Sequence, residues 1–152
     1  MELISEWPEK KFTLLKYTIE KLMPANKIFG IEVNKIGEGY IQLEVPFKKE
    51  FVGDLFNGLW HGGILASIAD TAGGFAVGSM LESNLFRVNT IEMNIKYLKG
   101  TKKDKSVYAE ARVSLWESKI AESKIILYQD SKEDPVCTID CSYIVLPTKK
   151  AK

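Results

Sequence analysis

Apolar positions recur along the chain with two different spacings, which predict helices in some segments and strands in others. Residues 8–22 show the 3.6-residue spacing of an amphipathic helix, which starts at Pro8 and stops before Pro24. The apolar positions of this helix are Phe12, Leu15, Ile19 and Leu22. An N-terminal helix with one apolar face is therefore expected.

Alternation of apolar and polar residues predicts the strands. The predicted strands cover residues 28–36, 40–45, 86–98, 105–116, 119–129 and 136–146. The glycines in Gly37-Glu38-Gly39 predict a hairpin turn between the first two strands. Residues 47–57 carry mixed charge and are predicted to form a loop, and the basic tail at 148–152 is expected to fray.

A second helix, predicted from about Leu59 to Leu81, has apolar and small residues nearly all round, so it should be buried. One acid, Asp70, interrupts it, and a buried carboxylate is costly unless it is paired or used. Gly62 and Gly63 open this helix without bulky side chains. Their backbone N–H groups are therefore expected to be accessible to an oxyanion.

The element order of helix, two strands, long helix and four strands belongs to the α+β class. Small residues along the long helix would let a sheet wrap closely around it: Ala66, Ala69, Ala72, Gly73, Gly74 and Ala76. Glycines weaken a helix, so Gly73 and Gly74 indicate that something comes near, either a ligand or simply a packed neighbour.

Composition narrows the functional classes. A chain of 152 residues with 45% hydrophobic residues is long enough for one domain, here taken as 1–152, with its own core. The net charge of +1 gives no reason to expect a nucleic-acid partner, and no apolar run is long enough to span a membrane. The N-terminal residues lack the order of a signal peptide, so a cytoplasmic location is expected.

Two cysteines and one histidine give little support to a metal site. Cys137 and Cys141 lie four residues apart in a predicted strand, so they point the same way but are too far apart to bridge. We interpret them as small buried hydrophobic residues, and we expect no zinc site.

The segment His61-Gly62-Gly63, followed after six residues by Asp70, resembles the hotdog-fold acyl-CoA thioesterases of the phenylacetate-pathway (PaaI-like) type. Residues 88–98, VNTIEMNIKYL, are similar to the strand that follows the helix in that family. The resemblance covers about residues 28–146. It implies a hotdog fold, in which an antiparallel β-sheet wraps a long central helix, here with an extra N-terminal helix.

The same resemblance implies hydrolysis of an acyl-CoA thioester by a homodimer, or by dimers paired into a homotetramer, without a cofactor beyond the coenzyme A of the substrate. Asp70 would be the catalytic carboxylate, acting as general base or nucleophile. The Gly62 N–H would polarise the thioester carbonyl, and the Thr90 hydroxyl would orient water. His61 and Gly63 would form the substrate-binding helix start beside Gly62.

Helix geometry supports the dimer independently. Gly62 and Asp70 are eight residues apart, which is about 12 Å along one helix, too far for both to reach one carbonyl. An antiparallel helix from a second chain would bring Asp70 of one protomer beside Gly62 of the other. The site is therefore expected at a dimer interface.

Two departures from the family pattern leave alternatives open. Leu55 stands where the family commonly has an amide, for which Asn57 could substitute as a substrate-binding residue if the loop is rearranged. Glu117-Ser118-Lys119 replaces a glycine-arginine turn. An acyl-CoA-binding or regulatory hotdog protein with little turnover is the alternative function. A hotdog dehydratase ranks third, because its catalytic histidine would have to be His61, which we expect to order the helix start.

Overall fold

A six-stranded antiparallel sheet wraps around one long helix in the computed structural model, which describes residues 7–82 and 86–147. Its strands are β1 (Glu32–Gly37), β2 (Tyr40–Val45), β5 (Phe86–Tyr97), β6 (Val107–Glu117), β7 (Ile120–Tyr128) and β8 (Cys137–Pro147). They are ordered β1-β2-β6-β7-β8-β5. This is the predicted α+β hotdog arrangement, and the expectation for the tail 148–152 lies outside the described residues.

The remaining elements precede the sheet or interrupt it. The helices are α1 (Trp7–Tyr17), which continues into a π-helical turn (Thr18–Leu22), α2 (Pro24–Phe29), a 3-10 turn (Lys49–Phe51) and the long α3 (Gly62–Gly78). A separate two-stranded ribbon pairs β3 (Val52–Asp54) with β4 (Leu59–Trp60). The predicted N-terminal helix is therefore present, and α3 is the predicted central helix.

One face of α3 forms the core with the sheet. Leu65, Ile68, Ala72 and Ala76 are buried on this face, whereas Asp70 on the other side is half-buried. The prediction of all-round burial is thus wrong for a single chain, because the sheet covers only one side of the helix. The uncovered side is still rich in small and apolar residues.

The predicted strand at 28–36 begins too early. Pro24 opens α2 at its first turn, a position that tolerates the missing N–H, and Ile28 belongs to this helix. Gly30 ends α2 with φ of 68°, a left-handed conformation that favours glycine. β1 therefore starts at Glu32.

The predicted helix at 59–81 is too long at both ends. Leu59 and Trp60 pair with β3, and the Trp60 N–H donates to Thr101 Oγ1 at 2.9 Å, so the chain is extended there. At the other end Ser79 Oγ donates back to the Ala76 carbonyl at 2.7 Å. Part of the predicted loop 47–57 is also ordered, as the 3-10 turn and β3.

β5 lies at the edge of the sheet and pairs with β8 on one side. Within the described ranges no strand pairs with its other edge. Ile91 sits at a register shift between Thr90 and Glu92, and its side chain is 54% exposed. A long edge with apolar exposure is open to pairing with another chain. No helix within 7–82 or 86–147 has the length and apolarity needed to cross a bilayer.

Candidate active site

Asp70 and Thr90 meet although they lie on different elements. Asp70 projects from the middle of α3, and Thr90 lies on β5 next to the register shift. The Thr90 hydroxyl donates to Asp70 Oδ1 at 2.6 Å. The Thr90 hydroxyl proton is thus engaged by Asp70. Thr90 therefore orients the carboxylate itself, whereas the family resemblance implied that it orients a water molecule.

Strand β8 contacts Asp70 through two side chains. The Tyr143 hydroxyl donates to the Asp70 backbone carbonyl at 3.1 Å, and the Cys141 thiol lies 3.9 Å from Asp70 Oδ1. Burial raises the pKa of the Cys141 thiol, and the nearby Asp70 charge raises it further. Burial also raises the pKa of the Tyr143 hydroxyl well above its usual range. Both groups therefore stay protonated and can donate toward Asp70.

The start of α3 presents one open backbone donor. His61 is the N-cap, and its Nδ1 accepts from the Gly63 N–H at 2.9 Å. The prediction of an accessible Gly63 N–H is therefore wrong, since the imidazole occupies it. The Gly62 N–H has no acceptor among the described residues. The Tyr97 hydroxyl donates at 2.8 Å to the Gly62 carbonyl, in the peptide that follows this N–H, and so helps to hold Gly62.

The segment His61-Gly62-Gly63 is closely packed against residues that lie outside the motif. A Cβ on Gly53 of β3 would come within 2.7 Å of the His61 Cα, so only glycine lets the ribbon approach the helix start. A Cβ on Gly62 would lie 3.3 Å from the Tyr97 ring. These contacts place the helix start close to both the ribbon and β5.

The loop before the helix does not bring Asn57 to the acid. The Asn57 side chain is exposed and donates to Asp54 Oδ2 at 2.8 Å, while the Asp54 Oδ1 accepts from the Phe56 and Asn57 N–H groups. Leu55 and Phe56 form the tip of this turn and are 91% and 99% exposed. The proposed substitution of Asn57 for the family amide is thus unsupported within one chain, because Asp54 holds its side chain.

Two cavities flank α3, and each contains one part of the predicted site. The smaller, of about 330 Å³, is lined by Gly62, Leu65 and Tyr97 together with residues 98–101. The larger, of about 930 Å³, is lined by Asp70, Thr90 and Tyr143 and extends toward α1. His61, Gly63 and Asn57 line neither cavity. The structure therefore brings Asp70 and Thr90 together and keeps Gly62 apart from them.

The other polar groups do not assemble a metal centre. Within 7–82 and 86–147 no three His, Cys, Asp or Glu side chains converge as metal ligands. Cys137 and Cys141 are free and buried, as predicted from their spacing. Among the lysines of the 99–105 region, Lys99 pairs with Asp134, while Lys102 and Lys105 both pair with Asp130.

Sequence reasoning missed Tyr143 and assigned no role to Tyr97. Tyr143 is fully buried in an alternating strand, where an aromatic residue looks like ordinary core. A buried tyrosine needs a partner for its hydroxyl, and that requirement was the available signal. Its partner lies 73 residues away, so the sequence could not identify it.

Known proteins similar to this chain include proteins named acyl-CoA thioesterases. The Thioesterase superfamily profile matches residues 57–135. A Salmonella typhimurium protein named medium/long-chain acyl-CoA thioesterase YigI is 30% identical over 89 residues, which is 51% of this chain and 57% of that protein. YigI of Escherichia coli matches to the same extent. The chain thus spans about half the length of the curated relatives it matches.

Solved structures show the same fold at lower identity. The Escherichia coli PaaI protein of the phenylacetic acid degradation operon has a TM-score of 0.79 and 17% identity, covering 92% of this chain and 96% of that one. A hypothetical thioesterase of Streptococcus pneumoniae, crystallised with coenzyme A, has a TM-score of 0.68 and 18% identity, covering 79% of this chain and 91% of that one.

Proposed function

Because the chain belongs to the Thioesterase superfamily, we propose that it hydrolyses acyl-CoA thioesters at a site shared by two protomers. The observation that carries the proposal is the separation of Gly62 and Asp70 along α3. One lies in each cavity, about 12 Å apart along the helix axis. The names of the YigI relatives support acyl-CoA as the substrate class.

In the shared site, the Gly62 N–H of one protomer donates to the thioester oxygen and stabilises the charge that develops there. The partner's Asp70 takes a proton from the attacking water or attacks the carbonyl carbon itself. Either route forms a C–O bond and breaks the C–S bond, and coenzyme A leaves as a thiolate that takes up a proton. When Asp70 is the nucleophile, water then cleaves the mixed anhydride, which releases the acid and regenerates the carboxylate. Thr90 holds Asp70 Oδ1, which leaves Oδ2 for the reaction.

The open edge of β5 and the uncovered side of α3 support the dimer. Both carry apolar residues that one sheet leaves accessible, including Ile91 at 54% exposure. Pairing of two β5 edges would join the sheets and cover these residues in both copies, as a two-fold interface does. Pairing of dimers into tetramers, a single domain over 1–152, cofactor independence and a cytoplasmic location stay predictions.

The second candidate is an acyl-CoA-binding protein with little turnover. Leu55 favours it, because this exposed side chain offers no hydrogen bond at the family's amide position. The alternative predicts acyl-CoA binding by the wild type with no release of coenzyme A from any thioester. Measuring equilibrium binding beside coenzyme A release on an acyl-CoA panel separates the two functions.

Subunit complementation tests the shared site. Gly62→Val and Asp70→Asn proteins should each be inactive, while a mixed dimer keeps one site with both residues intact. Random exchange makes half of the dimers mixed, so about a quarter of the wild-type rate should return. Coenzyme A release with a thiol reagent gives the rate, and mass spectrometry of differently tagged subunits verifies exchange.

A matched control excludes recovery from other causes. Asp70→Asn mixed with the double variant Gly62→Val/Asp70→Asn contains no intact Asp70 and should stay inactive. Circular dichroism and sedimentation must show that each variant folds and assembles. Verified exchange without recovered activity would refute the shared site.

A further inference from the structure

The larger cavity continues well beyond the Asp70 and Thr90 pair. Along α3 its lining runs from Asp70 to Gly78, which is about 12 Å at the helical rise, and it continues past the end of the helix to Leu81 and Glu82. α1 forms the opposite wall, through Leu14 and Leu15. We call this cavity the tail groove. Its length and its course away from the acid exceed what a thioester carbonyl alone requires.

The floor of the tail groove is free of side chains where α3 carries Gly74 and Gly78. A Cβ on Gly78 would meet nothing within 4 Å, and one on Gly74 would make ordinary contact with Tyr143 at 3.5 Å. Gly73 differs, because its Cβ would lie 2.2 Å from the Tyr143 hydroxyl. Packing in this chain therefore explains Gly73 but explains neither Gly74 nor Gly78.

Neither Gly74 nor Gly78 has a positive φ, so backbone conformation does not require glycine there. Glycine also weakens a helix relative to alanine. Glycine at these two positions keeps the space above the helix open in this chain. That space opens into the tail groove one and two turns beyond Asp70.

The walls of the tail groove are mainly hydrocarbon. Leu14, Met23, Phe75, Leu81 and Val88 contribute to them. Leu14 is 63% exposed and Met23 is 38% exposed in the free chain, so a ligand would remove apolar surface from water. The charged residues in the lining are Asp70, Lys10, Lys11 and Glu82.

We propose that the tail groove binds the aliphatic chain of a medium- or long-chain acyl group, with Gly74 and Gly78 setting the length that fits. The proposal rests on the proposed function, because Asp70 at the head of the groove fixes where the thioester lies. An acyl chain then runs along α3 beneath α1. Its first methylenes pass Gly74 about 6 Å from Asp70, and later ones pass Gly78 at about 12 Å.

Binding of S-alkyl-coenzyme A thioethers, which cannot be hydrolysed, tests the proposal by calorimetry. The series comprises butyl, octyl and dodecyl thioethers, each used below its micelle concentration. The increase in affinity along this series is called the length ladder. Wild-type affinity should rise by up to about fourfold for each buried methylene. In Gly78→Leu the affinity should no longer increase between the octyl and dodecyl thioethers. In Gly74→Leu it should already stop increasing between the butyl and octyl thioethers.

Gly37→Leu is the matched control, since a Cβ there also meets nothing within 4 Å, but Gly37 lies in β1 and does not line the groove. It should keep the wild-type ladder. An equal ladder in all four proteins would refute the tail groove. A normal ladder with loss of the dimer in Gly78→Leu would also refute it and would assign the groove to a second copy, whose exposed Leu55 and Phe56 could fill it.

The two proposals fail differently. A wild-type protein that shows the length ladder but hydrolyses no acyl-CoA would refute the proposed function and keep the tail groove. A protein that hydrolyses acyl-CoA with affinity independent of chain length would keep the function and refute the tail groove.

Discussion

The two cavities beside α3 differ in what they offer a substrate. The one at the helix start is small and presents the Gly62 backbone, which Tyr97 holds in place. The one at the helix middle is about three times larger and combines the Asp70 carboxylate with hydrocarbon walls. In one chain the Gly62 N–H and the Asp70 carboxylate therefore lie about two turns of helix apart. Only in the proposed dimer would a second chain bring these two groups to one thioester.

The largest expected effect comes from removing the charge in the larger cavity. Asp70→Asn should lower coenzyme A release by at least about 100-fold, because a positioned acid or base contributes about 10²–10⁴ in rate. Thioether binding should survive, since the amide keeps the shape and can still meet Thr90. Turnover within a few-fold of wild type would remove Asp70 from the mechanism.

The next effect separates two neighbouring glycines of the same helix. Gly73→Ala should lower the free energy of unfolding by about 1–3 kcal/mol, because its Cβ would overlap the Tyr143 hydroxyl. Gly74→Ala should instead raise it by up to about 1 kcal/mol through helix propensity. Urea unfolding at one fixed protein concentration measures both. Equal stabilities would show that Tyr143 moves without cost.

A smaller effect is expected at the helix start. Tyr97→Phe removes the hydroxyl that donates to the Gly62 carbonyl, a contact worth about 1 kcal/mol. The specificity constant kcat/KM for coenzyme A release should fall by about fivefold if this contact holds Gly62 in position for the thioester. Tyr17→Phe, at an exposed tyrosine of α1, is the control and should match wild type. A wild-type rate for Tyr97→Phe would mean that the peptide needs no such support.

The smallest effect is expected at Asp130, which lines neither cavity. Hydrogen bonds from Lys102 and Lys105 lower the pKa of this carboxyl to about 2. A lowered pKa stabilises the fold above the ordinary value of 3.8, and that contribution is lost as the pH falls toward 2. These side chains are solvent-exposed, so Asp130→Asn should leave the melting midpoint at pH 7 almost unchanged. A large drop in the midpoint would contradict this expectation.

The sequence determined the architecture, because burial on one face imposes a period that can be counted along the chain. Alternation located all six sheet strands, and apolar spacing located α1 and α3. The predicted bounds were wrong at the ends of elements, because single residues and local pairing set where an element starts or stops. Gly30 ends α2, so β1 starts later than predicted, and Leu59 pairs with β3 instead of joining α3. The Cys137 and Cys141 spacing likewise predicted two buried free thiols.

The motif also determined which residues to suspect, but the tertiary structure decided how they are arranged. Thr90 reaches Asp70 because the folded sheet places β5 beside α3, and no local pattern encodes that packing. His61 occupies the Gly63 N–H, and Asp54 holds Asn57, through side-chain geometry that spacing does not specify. Gly73 and Gly78 look alike in sequence, yet only the packed sheet shows that Tyr143 fills the space above one and leaves the other open. Periodicity is a property of the chain, whereas proximity between distant residues exists only once the sheet has closed around the helix.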